Sequence, residues 1–310
     1  MINAGVIGLG VGEKHLDGYL SYPECHVKTI CDINPVKLSE VGERFPQCKQ
    51  TTNPSEILED PDIQVVSIAS YDDAHTKQVV TAINSGKHVF VEKPLCLTNG
   101  EFLLIIDSLK RHPELKLSSN LILRKTPRFI ELRRRLQGGD LGVPYYMEGD
   151  YDYGRLHKLT TGWRGEINNY SVVHGGAIHL IDLIGWLLDK KVKEVFAYGN
   201  TIATDNTKFK GNNLVSALLR YEGEIIAKIT SNYASTTPHF HKLCVYGTNG
   251  TYEQGHAGSL YINSRNATEA AETVDDCYPG ASKGDMLYSF LNATVGKGIA
   301  DVSTQDVFDV

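Results

Sequence analysis

The chain lacks the features that mark membrane-spanning, disulfide-stapled and nucleic-acid-binding proteins. No apolar run approaches the roughly 20 residues of a spanning helix, and no signal peptide is visible. The six cysteines form no Cys-x-x-Cys pair and are too sparse for a disulfide scaffold. A net charge of −6 argues against a broad phosphate-binding surface. These absences predict a cytoplasmic protein without membrane or nucleic-acid partners, and we expect no metal site.

Length and patterning predict two domains, because 310 residues are many for a single core. Up to residue 121, short apolar runs alternate with amphipathic helical stretches, which is typical of a parallel sheet with right-handed crossovers. Between residues 194 and 262 the pattern changes to period-two strands with hairpin turns, which predicts a large, mostly antiparallel open sheet. We therefore expect an α/β protein with a parallel-sheet domain over 1–122 and a second α/β domain over 123–310.

A glycine-rich turn follows the first strand pattern, with Gly8, Gly10 and Gly12 in a G-x-G-x-G spacing. Glycines here allow a tight turn and the close approach of a pyrophosphate to the next helix, although the spacing is one residue shorter than the usual G-x-G-x-x-G. Asp32 ends the second strand, 20 positions after Gly12. Its carboxylate either accepts the ribose hydroxyls of a dinucleotide or caps the helix that begins near Asn34-Pro35. The order of these elements favours a Rossmann turn that binds a dinucleotide, and the acid at Asp32 favours NAD over NADP.

Polar residues follow two further buried strands of this domain. The apolar run at 88–91 ends in Glu92 and Lys93, and the following Pro94 stops strand pairing. This places both side chains at the carboxyl edge of a parallel sheet, where ligands bind. The ammonium of Lys93 is either a ligand for a substrate oxygen or an ordinary solvated charge. Ser70 ends another strand, and His75 just beyond it either borders the cofactor or simply begins a helix.

The second domain contains a polar pair on an apolar helix. His179 and Asp182 are three residues apart, so they share a helix face and require partners if they are buried. On its own this pattern favours a hydrogen-bonded core histidine over a catalytic one. An irregular segment at 154–173, typical of a binding loop, contains Arg155, Trp163 and Arg164.

These motifs together resemble the glucose–fructose oxidoreductase, inositol dehydrogenase and rhizopine-catabolism (Gfo/Idh/MocA) family. The resemblance rests on Gly8-Leu9-Gly10, Glu92-Lys93-Pro94 in its strand, Gly142, Trp163-Arg164 and His179-Leu180-Ile181-Asp182, and it extends over essentially the whole chain. It implies NAD(P)-dependent hydride transfer between nicotinamide and a carbon of a sugar, sugar nucleotide or cyclitol. It also implies that Lys93 polarises the reacting oxygen and that His179 is the general acid–base.

The resemblance leaves several points open. Many members carry an acid four residues before the catalytic histidine, but this chain has Gly175 there. Substrate contacts are expected from Arg124, Arg155, Trp163, Arg164 and Asp182, and the arginines suit a diphosphate. Two alternatives remain: an NAD-dependent glycosidase with transient oxidation, and a non-catalytic, cofactor-sensing regulator of the same fold. We expect a homodimer or homotetramer formed through the open sheet. Residues 303–310 look like the opening of a longer helix, so whether the native chain continues beyond Val310 is also open.

Asp32 predicts which cofactor the protein prefers. Its charge should repel the 2′-phosphate of NADP and accept the 2′-hydroxyl of NAD, and the next residues, Ile33 and Asn34, offer no arginine to pair with a phosphate. We expect NADH to bind more tightly than NADPH when both are titrated by fluorescence. Tighter binding of NADPH would contradict the assignment of Asp32.

Overall fold

The computed structural model describes residues 1–266 and 268–310, which divide into two compact units. The first unit contains Met1–Ile122 together with Ser282–Val310, and the second contains Leu123–Ala281. Each unit has its own sheet and its own cluster of buried apolar side chains. No helix in the described ranges is both long enough and apolar enough to cross a membrane.

The first unit is a parallel α/β sheet. Its strands are β1 (Ile2–Ile7), β2 (Cys25–Cys31), β3 (Lys49–Thr51), β4 (Val65–Ile68), β5 (His88–Val91) and β6 (Leu117–Ser119). They pair in the order β3-β2-β1-β4-β5-β6, and every pair is parallel. The connecting helices are α1 (Glu13–Leu20), α2 (Pro35–Arg44), α3 (Ser55–Leu58), α4 (His75–Asn84) and α5 (Asn99–Arg111). The strand order reverses between β1 and β4, which is where such sheets bind ligands at their carboxyl ends.

The second unit is a helix layer on an eight-stranded sheet. Its helices are α6 (Pro127–Gly138), α7 (His157–Thr160) and α8 (Ile178–Leu188). Its strands are β7 (Pro144–Asp152), β8 (Val192–Asn200), β9 (Leu214–Tyr221), β10 (Ile226–Asn232), β11 (Phe240–Gly247), β12 (Thr251–Gly255), β13 (Gly258–Ile262) and β14 (Glu272–Thr273). The order is β14-β13-β12-β11-β7-β10-β9-β8, and only the β7–β10 pair is parallel among the strand pairs described. The predicted fold class is therefore confirmed.

Helix α8 packs against the middle of this sheet because one residue of β7 lacks a side chain. A Cβ at Gly149 would lie 3.2 Å from Cδ1 of Leu180, so even alanine would be tight there. A π-helical turn (Val173–Ala177) leads into α8. The sequence predicted an apolar helix that carries His179 and Asp182, and this irregular turn precedes it.

The assignment of residues 282–310 to the second domain is corrected by the structure. Helices α9 (Leu287–Thr294) and α10 (Thr304–Asp309) belong to the first unit. The ring of Phe290 lies 5.7 Å from that of Phe90, and Oγ1 of Thr304 exchanges hydrogen bonds of 3.0 and 2.9 Å with the backbone of Leu117. The segment therefore covers apolar surface beside β5 and satisfies backbone groups of the edge strand β6.

Candidate functional site

The glycine turn after β1 is closely packed at two of its glycines and open at the third. Gly8 has a φ of +84°, and a Cβ there would lie 2.3 Å from the carbonyl oxygen of Ala69. A Cβ at Gly12 would lie 2.2 Å from the carbonyl oxygen of Gly8. At Gly10 no described atom lies within 4 Å of the Cβ position, so a ligand can approach this backbone closely. The short spacing thus still builds a tight turn with one open glycine.

Asp32 is fixed directly against this turn. Its Oδ2 accepts a hydrogen bond of 2.7 Å from the backbone N–H of Leu9, and its Oδ1 accepts one of 2.8 Å from Asn34. The N-cap of α2 is Asn34, whose side chain accepts from Val36 and Lys37. Asp32 is therefore not the helix cap, and each carboxylate oxygen retains a lone pair for a ribose hydroxyl.

His75 is a buried link between two loops at the same edge of the sheet. Its Nδ1 lies 2.7 Å from the carbonyl oxygen of Pro94, and its Nε2 lies 3.2 Å from that of Ser70. Both ring nitrogens thus face backbone acceptors of the protein itself, which favours the helix-start role over cofactor contact. The side chain of Ser70 donates to Oε1 of Gln78 at 2.8 Å.

Glu92 is a buried carboxylate at the end of β5, immediately before Lys93. Its Oε1 accepts a hydrogen bond of 2.8 Å from Nδ2 of Asn120 and lies 3.3 Å from Nε2 of His15. The same Asn120 amide donates to the carbonyl oxygen of Lys283 at 3.1 Å. Residues from α1, from the end of β6 and from the C-terminal segment therefore meet at this carboxylate.

The charge of Glu92 is stabilised despite its burial. Burial alone would raise the pKa of this carboxyl, but the hydrogen bond with His15 and the positive charges of Lys283 and Lys93 outweigh it, and the pKa falls to about 2. Glu92 is therefore an anion at any working pH. It is an anchor for the strand end rather than a proton carrier.

In the second unit, His179 stands on a cluster of tyrosines and histidines. The ring of Tyr151 is stacked with that of His179 at 6.0 Å and 22°, and His241 contacts His179 edge-on at 5.7 Å. Tyr151 is paired with His241 on β11 and with Ser231 on β10, so one rung of the sheet carries all three. The sheet thus sets the surface on which the imidazole rests.

The predicted binding loop joins the same cluster. The Trp163 ring lies 6.4 Å from that of Tyr170, and the guanidinium of Arg164 stacks on Trp163 at 4.4 Å. Arg155 lies over the ring of Tyr153 at 5.1 Å. The structure therefore brings Arg155, Trp163 and Arg164 beside the tyrosines around His179.

Arg124 and Asp182, from which substrate contacts were expected, form a buried ion pair with each other. The Nη2 and Nε atoms of Arg124 lie 2.5 and 3.0 Å from Oδ1 of Asp182, and both side chains are almost fully buried. A buried guanidinium that is neutralised by a carboxylate is poorly placed to bind a second anion. These two predicted substrate ligands bind each other.

The sequence analysis missed most of the residues around His179. Tyr151 lies on β7 and Tyr153 just beyond its end, while His239 just precedes β11 and His241 lies on it, with ring contacts of 5.1 to 5.3 Å between the two pairs. The available signal was the period-two spacing of aromatic residues in two extended segments. This signal can be interpreted only when the register between β7 and β11 is known. Within residues 1–266 and 268–310, no group of three acid, histidine or cysteine residues could hold a metal ion.

Two family models match this chain. One is described as the oxidoreductase family, NAD-binding Rossmann fold, and matches residues 2–119. The other is described as the GFO/IDH/MocA C-terminal domain and matches residues 129–253. Together they cover most of the chain, one in each structural unit.

Individual proteins that match this chain do so at low sequence identity. The myo-inositol 2-dehydrogenase of Thermotoga maritima is 25% identical over 83% of this chain and 80% of its own. The inositol 2-dehydrogenase of Salmonella typhimurium is 25% identical over 99% of this chain and 85% of its own. Among solved structures, a levoglucosan dehydrogenase in complex with NADH and levoglucosan superposes with a TM-score of 0.85, at 21% identity, over 99% of this chain and 93% of its own. At that identity the structural match shows a shared fold.

The Glu92 cluster predicts a pH-dependent contribution to stability. The folded-state pKa of about 2 lies below the ordinary 4.5, so the stabilisation is full above pH 4.5 and disappears as the pH falls through about 2. We expect Glu92→Gln to lower the free energy of urea unfolding at pH 7 by on the order of 3 kcal/mol. The gap to the parent should narrow at pH 3.

The matched control is Glu56→Gln in the same unit. The pKa of Glu56 is also lowered, by hydrogen bonds from Lys49 and Thr51, but its side chain is 41% exposed. Water screens such pairs, so the change should be much smaller. Equal losses in the two variants, or a gap for Glu92→Gln that does not depend on pH, would contradict the anchoring role.

Proposed function

The chain belongs to the Gfo/Idh/MocA oxidoreductase family, and from this premise we propose that it is an NAD-dependent dehydrogenase of a neutral cyclic sugar or cyclitol. The observation that carries the proposal is the glycine turn, with Gly8 and Gly12 closed, Gly10 open and Asp32 held beside it. These residues fit a dinucleotide with free ribose hydroxyls. The relatives that are named inositol and levoglucosan dehydrogenases support the substrate class.

Lys93 and His179 are the two proposed catalytic residues. The glycine turn and Asp32 would hold NAD, which would supply the acceptor for the hydride of the substrate carbon. Lys93 follows the anchored Glu92 at the end of β5, and its ammonium polarises the substrate hydroxyl and stabilises developing negative charge on that oxygen. His179 accepts the hydroxyl proton in oxidation and returns it in reduction. Glu92 fixes the residue before Lys93, and His75 contacts the carbonyl oxygen of Pro94, the residue after it.

The second unit favours a neutral substrate. The Arg124 charge is already matched by Asp182, while the guanidinium carbons of Arg155 and Arg164 lie 5.1 and 4.4 Å from the centres of aromatic rings. The rings of Tyr151 and His241 lie beside His179, and such rings suit the hydroxyls and apolar faces of a sugar. A sugar nucleotide would need the diphosphate partners that the sequence suggested, and the Arg124–Asp182 pair removes one of them.

The proposal predicts how turnover depends on Lys93 and His179. With the best substrate from a panel of sugars, inositols and sugar nucleotides, Lys93→Ala and His179→Ala should each lower kcat by about 10²–10⁴-fold. Binding of NADH should stay within a few-fold, since neither side chain belongs to the glycine turn or to Asp32. Absorbance of NADH and a fluorescence titration measure the two effects.

Lys77→Ala and His256→Ala, at exposed positions on α4 and in a turn, are the controls and should keep the parent's turnover. NADH should form in proportion to substrate consumed, which separates a dehydrogenase from a glycosidase that recycles its cofactor. Near-parent turnover in His179→Ala would sink its assignment and point to His174 or to a water relay. Binding of NADH without turnover on any substrate would favour the regulator.

We also propose a cytoplasmic homodimer or homotetramer. The six cysteines are free thiols, which fits a reducing compartment. On the edge of the large sheet, Phe196 is 60% exposed, Tyr198 is 74% exposed and the facing Leu218 is 48% exposed. Three large apolar side chains on one face of adjacent strands are typical of a subunit contact.

The assembly proposal is tested by light scattering at micromolar concentration. The parent should have twice or four times the mass of one chain. Phe196→Glu with Leu218→Glu should yield a smaller species, because two carboxylates would be buried without partners. Lys193→Ser, which changes an exposed charge on the same strand, is the control and should keep the parent's mass. A monomeric parent would contradict the proposal.

A further inference from the structure

Two adjacent glycines bring the π-helical turn before α8 against three tyrosines. A Cβ at Gly175 would lie 2.0 Å from the hydroxyl oxygen of Tyr170 and 2.3 Å from that of Tyr233. A Cβ at Gly176 would lie 2.5 Å from Cδ1 of Tyr151. Atoms that are not bonded to each other do not approach this closely. A side chain at either position would therefore displace a tyrosine.

The three tyrosines form a continuous support, here called the tyrosine shelf (Tyr151, Tyr170 and Tyr233). The hydroxyls of Tyr170 and Tyr233 are hydrogen-bonded at 3.0 Å in the interior. The Tyr233 ring lies 6.0 Å from that of Tyr151, which is stacked with His179. Ser231, on the same rung as Tyr151, donates to the carbonyl oxygen of Val172 at 2.8 Å and fixes the entry to the turn.

The shelf supplies position without charge. Burial raises the pKa of Tyr151 and of Tyr233 well above the ordinary value, so their hydroxyls stay protonated over the working range. Protonated hydroxyls cannot stabilise an imidazolium by charge or take the substrate proton themselves. What they determine is where the turn, and hence the first residues of α8, lie on the sheet.

We propose that the tyrosine shelf positions His179 for proton transfer, occupying the volume one turn before the histidine that an acidic side chain at residue 175 would need. This rests on the role proposed for His179. Tyr170 and Tyr233 act through the Gly175 turn and through the Tyr151 ring, so they are positioning residues. The observation behind the proposal is the overlap of both hydroxyls with a Cβ at Gly175.

Removal of single hydroxyls is the first test. Tyr170→Phe and Tyr233→Phe break the hydroxyl pair, and a shift of the histidine by a fraction of an ångström should lower kcat by about ten-fold or more. Binding of NADH should not change. The matched control is Tyr261→Phe on β13, a buried tyrosine whose hydroxyl has no hydrogen-bond partner in the described part of the chain. It should keep the parent's kcat.

An exchange of the shelf for an acid is the second test. Gly175→Asp alone should be strongly impaired, since its Cβ overlaps both hydroxyls. In a Tyr170→Leu/Tyr233→Phe background these hydroxyls are absent, as is Cζ of Tyr170, which lies 2.9 Å from the Cβ position. Adding Gly175→Asp to that background should then raise kcat above that of the double variant. A purely structural role predicts lost stability without such a reversal of sign.

A spectroscopic signature gives a readout that is independent of turnover. The ring resonance of His179, assigned by its loss in His179→Ala, should carry a ring-current shift from Tyr151 in the parent and lose part of it in the Phe variants. If kcat and this resonance match the Tyr261→Phe control in both Phe variants, the shelf does not position the histidine. If His179→Ala keeps its turnover, the proposed function fails instead, whatever the shelf variants show.

Discussion

The first unit depends on a buried carboxylate being held at the end of β5. Taking an ionised carboxylate out of water is costly unless hydrogen bonds and cations replace the solvent. His15, Asn120 and Lys283 supply them from three parts of the chain that are far apart in sequence. These contacts all converge on Glu92. They therefore fix α1, the end of β6 and the C-terminal segment relative to the backbone that carries Lys93. The position of the Lys93 backbone is thus a consequence of the hydrogen bonds and positive charges that the neighbouring Glu92 carboxylate requires.

The parts of this arrangement that depend on neighbouring residues could be predicted from the sequence. The strand, glycine turn and helix at the start, the acid ending β2 and the proline after Lys93 all act within a few residues, and each lies where its pattern indicated. The return of residues 282–310 to the first unit could not be predicted in this way. Its cause is the pairing of Thr304 with Leu117, 187 positions apart, which leaves no periodic signal in either segment.

The second unit shows the same limit in its side chains. Arg124 and Asp182 were predicted as substrate ligands because of their chemical type, yet type does not reveal whether a charge already has a partner 58 residues away. Gly175 was a visible departure from the family pattern. The hydroxyls of Tyr170, in a loop, and of Tyr233, after β10, occupy the space beside Gly175. The contact between these hydroxyls depends on how β7, β10 and β11 are aligned.

The tyrosine shelf gives a physical reason why residue 175 of this chain is not an acid. A carboxylate one turn before His179 would be a second buried anion on a helix that already carries Asp182, and it would need its own cation or several donors to stay ionised. The neutral tyrosine shelf avoids that cost, because its two facing hydroxyls carry no charge and are hydrogen-bonded to each other, while its rings pack as apolar surface. In this proposal, neutral rings take the place of a carboxylate at residue 175. Such an exchange suits a reaction on a neutral hydroxyl, where the alignment of donor, acceptor and hydride contributes more than the strength of any single base.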